Sequence, residues 1–439
     1  MSQSAKKCAN VIGIEAAKKH ILYDPQLEVR QMSIHGFIFG KLGDKYVTKK
    51  EDKDGHILIV GGAGSGKSTC IAIPSLLAWG SAVFCIDIKG ELYQHSRHKR
   101  PNAKVFNPLS AGTYGYDPYY ILKKSDNPAQ EARAIALALV PLPPDTKEPF
   151  WIESGQNVLT ATILHYNAKG FSFLETAETI LSTAPTKLIK ELRASPEREA
   201  RFCVNSLADM DTRTLSSIMS ELSKNIVPFV TDRNLSHALS RPKNITPLDL
   251  EYGADVFINI PEYLLKQWKN VVTLIVSQFL RHCEKRPDMT ATPILFLLDE
   301  FPRLGKIEEI TDGLATLRSK KITICPIIQS LAQLDMIYGA PARRVIVDNC
   351  AYKAVLNATD ADSQEYFSKL VGTHEKIRTT HDLRLRPVTG FVAGKGTSKR
   401  SEEKRIIKPE NWATLREIAL FTPYGFFEVA KAPYYKHQS

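Results

Sequence analysis

Residues His56 to Thr69 read HILIVGGAGSGKST. An apolar, β-branched run passes into a glycine-rich turn, and the turn ends in Gly-Lys-Ser at the head of a helix-length segment, Lys67 to Trp79. That junction suits few folds. The strand must be buried, and it must deliver the turn to an open sheet edge, as a strand–loop–helix unit of a parallel sheet does. Gly61, Gly62, Ala63, Gly64, Ser65, Gly66, Lys67 and Ser68 fit G-x-x-x-x-G-K-[ST], and Thr69 completes the loop. The glycines let backbone N–H groups curl around phosphate oxygens. Lys67 is expected to reach the β- and γ-phosphates and the Ser68 hydroxyl to ligate Mg²⁺, with the following helix pointing its N-terminus at the anion.

A second motif supplies acids. Pro293 to Glu300 read PILFLLDE, an apolar strand with two carboxylates at its C-terminal end. Asp299 is expected to hold the Mg²⁺ shell, and Glu300 to orient and polarise an attacking water. Paired with the phosphate loop, the two acids point to hydrolysis of ATP with Mg²⁺. Gln329 ends the run KITICPII, where it can sense the γ-phosphate or position water. Arg318 ends KIEEITDGLATLR, beside an apolar face made by Ile307, Ile310, Leu314 and Leu317. It is either a solvated helix-end arginine or an arginine finger for a neighbouring subunit's phosphate. The acidic motif IDIKGE at 86–91 either supports the Mg²⁺ shell or the nucleotide, or its Asp87 simply caps the next helix.

The fold expected is α/β, a mostly parallel sheet flanked by helices, with an inserted all-α domain. HILIV and SAVFCIDI are continuous apolar runs, the mark of strands covered on both faces. From 121 to 250 the runs give way to segments with apolar residues three and four apart, such as AQEARAIALALV. Strand-like runs return in ADVFINI, PILFLLDE, KITICPII and YKAVLNA. The boundaries follow: a helical lead-in over 1–30, a nucleotide-binding domain over 31–120 and 251–439, and the all-α domain over 121–250. Residues 31–50 read as strand, turn, strand. Residues 375–408 hold loops or a hairpin, and 419–435 hold two closing strands.

Lys and Arg outnumber Asp and Glu by 58 to 47, a formal charge of +11, which favours a polyanionic partner. Residues 375–408 hold ten Lys or Arg, among them Arg384, Arg386, Lys395, Lys399, Arg400, Lys404 and Arg405, against four acids. The stretch is either a solvated surface loop or a backbone-tracking nucleic-acid contact. Arg97-His98-Lys99-Arg100 is a smaller basic cluster. The seven cysteines form no CxxC pair and read as core residues of a reducing compartment. No stretch reaches the length of apolar residues needed to span a membrane, and no signal peptide opens the chain. A cytoplasmic protein is expected.

These residues resemble a known family. DIKGE, VFNPLSAGTYGYDPYY at 105–120, PFWIESGQNVLTATILHY at 149–166, FLLDEFPRLGKIEEITDGLATLRSKKITICPIIQSLAQLDMIYG at 296–339 and KRIIKPENWATLREIALFTPYGFFEVAKAPYY at 404–435 are similar to type IV coupling proteins of the TraG/TraD type. These are conjugative ATPases of the FtsK-related, RecA-like P-loop group. The resemblance implies a homo-hexameric ring with ATP between subunits. It implies recruitment of relaxase-linked single-stranded DNA, or protein, into a type IV secretion channel at the inner membrane. It implies that Arg318 is the intersubunit arginine and that the all-α domain docks substrate. The chain departs from the family in lacking transmembrane helices and in replacing the frequent P-T-x-S-G-K-G loop by GGAGSGKST. The alternative reading is a nucleotide-gated receptor for protein cargo, docked at the membrane through partners, with little DNA-dependent motor activity.

Overall fold

The apolar runs become strands. A computed structural model describes residues 27–30, 35–143, 146–289, 291–385 and 392–437, with side chains outside the description at 27–30, 376–385, 392–402 and 436–437. The strands are β1 (Leu27–Arg30), β2 (Phe37–Leu42), β3 (Lys45–Lys49), β4 (Ile57–Val60), β5 (Ala82–Asp87), β6 (Lys104–Phe106) and β7 (Val256–Asn259). They continue as β8 (Ile294–Leu298), β9 (Ile322–Ile328), β10 (Tyr352–Val355), β11 (Thr373–Leu385), β12 (Val392–Arg405), β13 (Ile418–Thr422) and β14 (Gly425–Val429). Nine of them form one sheet in the order β14-β13-β10-β4-β9-β8-β5-β7-β6. From β10 to β6 every pair is parallel; β13 and β14 close one edge antiparallel.

This order positions the site. β9 lies between β4 and β8, so the residue after β9 stands between the phosphate loop and the paired acids. β5 lies on the other side of β8, so Asp87 stands beside Asp299. Every residue of β4, β5, β8 and β9 is buried, which is why these strands read as unbroken apolar runs rather than alternating ones.

The two sheet faces carry separate cores. On one, Phe37, Phe39, Ile57, Ile59, Ile71, Trp79 and Leu297 pack together. On the other, Leu58, Val60, Phe84 and Phe296 join a core that runs without interruption into the helical region between β6 and β7. That region extends from the helix Pro128–Leu139 to the helix Pro247–Glu251. The 23-residue helix Glu262–Glu284 ties the two parts together. Its Phe279 ring lies 4.9 Å from Phe84 of β5, and its Trp268 indole donates 2.7 Å to Asp232, the residue that caps the helix Arg233–Leu239.

Several expectations change. Residues 1–26 of the helical lead-in lie outside the described residues, and Leu27–Arg30 is a strand, paired antiparallel with β3. Pairing with an available edge overrides local periodicity there. Residues 37–49 form the expected strand, turn and strand, with Gly43 at φ +60° in the turn. The basic stretch is a hairpin in which β11 pairs antiparallel with β12; Arg386 lies outside the described residues, as do the side chains of Arg384, Lys395, Lys399 and Arg400. Arg405 is not free for nucleic acid, since both its Nη atoms donate to Glu365 at 2.7 Å. Arg100 is buried and pairs with Asp255 at 2.7 Å, so it belongs to the sheet's foundation rather than to a basic surface. The closing strands are shorter than expected, ending at Val429. Cys70, Cys85, Cys283, Cys325 and Cys350 are buried free thiols, as core residues should be, whereas Cys203 is only half-buried and Cys8 lies outside the described residues. Among the described residues no helix is long and apolar enough to cross a membrane.

Candidate nucleotide-binding site

β4 ends at Val60, and the loop begins at once: Gly61 N–H donates to Ile328 O on β9 at 3.1 Å. Gly64 and Gly66 lie at φ +72° and +100°, a region that glycine enters without a Cβ clash. At Gly61 the constraint is space, because a Cβ there would stand 2.5 Å from Ser65 Oγ. Two distant residues brace the loop. Asn357 Oδ1, just past β10, accepts from Gly62 N–H at 2.7 Å. Lys431 Nζ, just past β14, donates to Ser65 O at 3.1 Å. The following helix opens as a wide π-turn, Lys67–Ala72, before becoming α-helical at Ile73–Ala78. Pro74, with no N–H to give, sits at that changeover.

Lys67 folds back on its own loop. Its Nζ donates to Gly61 O at 2.6 Å and to Gly62 O at 3.1 Å. Burial lowers its pKa, and the nearby Glu300 and Asp299 carboxylates oppose that shift. The ammonium is thus held by neutral carbonyl oxygens, which a phosphate anion can displace.

The acids stand at the end of β8. Asp299 and Glu300 are both buried. Glu300 adopts φ +46°, a left-handed conformation uncommon for a residue with a side chain. It turns the chain directly into the short helix Phe301–Leu304, where Arg303 N–H returns to Glu300 O at 2.8 Å. Gln329 Nε2 donates to both Glu300 oxygens, at 2.9 and 3.2 Å. Burial, then the charges of Glu300 and Asp87, push Asp299 up to about 7. Burial likewise raises Asp87 to about 6, against hydrogen bonds from Tyr93, Leu92 and Gly90. Asp87 does cap the helix Glu91–Ser96, its Oδ2 accepting from Tyr93 N–H at 2.8 Å. Its other oxygen, Oδ1, is buried without a partner.

A cleft of about 370 Å³ gathers these groups: Ala63 to Thr69, Lys89, Glu91, Glu262, Asp299, Glu300, Arg303 and Gln329. Gly61 and Gly62 form the loop's base behind it. A cavity of about 500 Å³ at the opposite sheet edge, beside Trp79, Arg100 and Asp255, is larger but has no comparable convergence of reactive groups. Arg318 stands apart. It precedes β9, is mostly exposed, and lies 3.8 Å from Asp54, just ahead of β4. Both strand starts are at the edge opposite the phosphate loop, so Arg318 does not enter the cleft of its own chain. Lys89, Glu91, Glu262, Arg303, Asn357 and Lys431 lay outside the sequence reading of the site. Lys89 and Glu91 sit in the quoted IDIKGE stretch; the others carry no local motif.

The donors fit Mg²⁺. A hydroxyl at Ser68, a carboxylate at Asp299 and an unpartnered carboxylate oxygen beside it are hard oxygen ligands. Among the described residues no group of three His, Cys, Asp or Glu could hold a metal by itself.

Comparison with known proteins gives the fold and the family. The chain is 26% identical over 441 residues to the protein VirD4 of Agrobacterium fabrum (strain C58 / ATCC 33970), covering 92% of this chain and 63% of that protein. It therefore spans about three fifths of that relative's length. The structure is similar to the plasmid coupling protein TrwB in complex with the non-hydrolysable ATP analogue ADPNP, with a TM-score of 0.73, 18% identity, and 97% of this chain and 93% of that chain covered. Against TrwB in complex with ADP and Mg²⁺ the TM-score is 0.71 at 16% identity, covering 97% and 94%. The expected architecture, a mostly parallel α/β sheet with a helical region, is the one these structures share. The chain matches the family described as Type IV secretory system Conjugative DNA transfer over residues 13–438, nearly its whole length, and it belongs to that family of coupling proteins.

Proposed function

We propose that this chain is the ATP-hydrolysing part of a coupling protein that feeds relaxase-linked single-stranded DNA, or protein, into a type IV secretion channel at the inner membrane. One observation carries the reading: the phosphate loop, Asp299, Glu300 and Gln329 converge on one cleft, with Glu300 held by Gln329. The VirD4 likeness and the TrwB complexes with ADPNP and with ADP and Mg²⁺ support it.

The geometry supports the following roles. Lys67 leaves Gly61 O and Gly62 O for the β- and γ-phosphate oxygens, and the loop's N–H groups complete the cradle. Ser68 and Asp299 would hold Mg²⁺, which neutralises charge on the phosphates when bound. Glu300 orients and polarises the attacking water, and Gln329 fixes the direction of that carboxylate. The products are ADP and inorganic phosphate. Arg318, exposed at the far edge, serves the cleft of a neighbouring subunit, in a homo-hexameric ring. The helical region recruits cargo.

The test is phosphate release by the wild type beside Glu300→Gln. The expected result is ATP binding in both and turnover only in the wild type. Normal turnover in Glu300→Gln would remove the proposed role. Slow wild-type turnover, indifferent to single-stranded DNA, would favour the receptor for protein cargo.

A further inference from the structure

The cleft contains three cations, and only Lys67 has a part in the mechanism above. Lys67 is bound to its loop, and Lys89 lies near it. Arg303 lines the same cleft, but its guanidinium is engaged by the Glu262 carboxylate. The two side chains are 41% and 54% exposed, so water and salt screen the pair and it holds weakly. A phosphate offers more charge than a carboxylate and an equally good bidentate surface for a guanidinium.

The backbone beneath Arg303 is firm. Arg303 N–H is bound to Glu300 O, Pro302 fixes the preceding residue, and Leu304 is buried. Only the side chain is free to turn, and it turns from a point three residues beyond the water-polarising carboxylate. Glu262, for its part, is the first residue of the helix Glu262–Glu284, where a carboxylate is favoured without a partner. Along that helix Trp268 holds Asp232 and Asn270 holds Asn225 at 3.2 Å, and just past its end Lys285 holds Glu131 at 3.1 Å. All three partners belong to the helical region. The Arg303–Glu262 pair therefore joins the cleft to the first turn of the helix that packs on the helical region, the rest of that helix being held by its buried face.

We propose that Arg303 is a nucleotide-binding residue specific for the triphosphate: it leaves Glu262 for the terminal phosphate of bound ATP and returns when that phosphate is lost. The first turn of the helix Glu262–Glu284 thereby loses this contact in the ATP state and regains it in the ADP state. This rests on the nucleotide reading of the cleft.

The test is equilibrium binding of ADPNP and of ADP, each with Mg²⁺, to the whole chain and to Arg303→Gln, Glu262→Gln and the double variant. Arg303→Gln is expected to weaken ADPNP about tenfold or more and to leave ADP within about twofold. Glu262→Gln is expected to tighten ADPNP a few-fold, because the competing carboxylate charge is gone. The double variant should match Arg303→Gln. Both side chains are partly exposed, so unchanged melting temperatures should accompany these shifts. Equal effects of Arg303→Gln on the two nucleotides, or none on either, would overturn the proposal. A wild type that binds neither nucleotide would overturn the nucleotide reading itself, and this proposal with it.

Discussion

Gln329 Nε2 sits 2.9 and 3.2 Å from the two carboxylate oxygens of Glu300, joining the ends of two neighbouring strands across the mouth of the cleft. The bond aims the carboxylate, so its loss should damage the chemical step more than binding. Gln329→Ala is expected to lower kcat about tenfold or more with KM changed little, whereas Glu300→Gln lowers kcat about a hundredfold or more. Steady-state kinetics of both variants check this. A Gln329→Ala effect confined to KM would mean that the residue only binds nucleotide.

The phosphate loop has a steric limit at its first position. A Cβ on Gly61 meets Ser65 Oγ at 2.5 Å, Leu356 Cβ at 3.2 Å and Ser65 Cβ at 3.3 Å, so in Gly61→Ala the Ser65 hydroxyl must turn and the loop must give by a fraction of an ångström. Nucleotide affinity should fall about tenfold or more, through displaced N–H groups rather than lost charge. Asn357→Ala frees Gly62 N–H on the same loop and should cost a smaller factor, about three- to tenfold. Titration of ADPNP into each variant measures both.

The buried acids set a pH dependence. Asp299 and Asp87 hold their protons to about 7 and about 6 in the folded chain. Unfolded, they titrate near 4. A raised carboxylate contributes stability that is full below the unfolded value and is lost as pH rises through the folded one. Without metal, Asp299→Asn should therefore be more stable than the wild type at pH 8, by roughly 1–4 kcal/mol, with the gap closing towards pH 5. Binding of Mg²⁺ with nucleotide should tighten across the same window and release protons. Melting curves from pH 5 to 8, and calorimetry in two buffers of different ionisation enthalpy, test these outcomes. An Asn variant no more stable than the wild type at pH 8 would contradict the electrostatic account.

Arg318 offers a test of action between subunits. It lies at the sheet edge opposite its own cleft, beside Asp54, so Arg318→Ala should bind nucleotide normally. Turnover should fall by about a thousandfold if the residue serves a neighbour's phosphate. Mixing inactive Arg318→Ala with inactive Glu300→Gln then creates interfaces with both groups intact, and activity should return. No recovery on mixing would confine Arg318 to its surface pair.

What the sequence made legible was what lies in consecutive residues. The phosphate loop, Asp299-Glu300 and Gln329 each directly follow a buried strand, and a buried strand shows as an unbroken apolar run. Their meeting needed only the placing of β9 between β4 and β8. Residues brought in from afar had no such signal. Asn357 and Lys431 brace the loop from across 295 and 366 residues of chain, and each looks like an ordinary strand-end polar residue. Glu262 and Arg303 read separately as surface charges, although 41 residues apart they form one pair. Arg100 misled because a basic run suggests a surface, while the fold buries its last member against Asp255. Leu27–Arg30 misled because its conformation is set by the edge of β3.

The most direct test of the account is ATP hydrolysis as a function of protein concentration, with and without single-stranded DNA. A ring-assembled DNA motor gives a rate per chain that rises cooperatively with concentration, rises further with DNA, and disappears in Glu300→Gln. A rate per chain that is flat in concentration and unmoved by DNA would contradict a ring-assembled DNA motor.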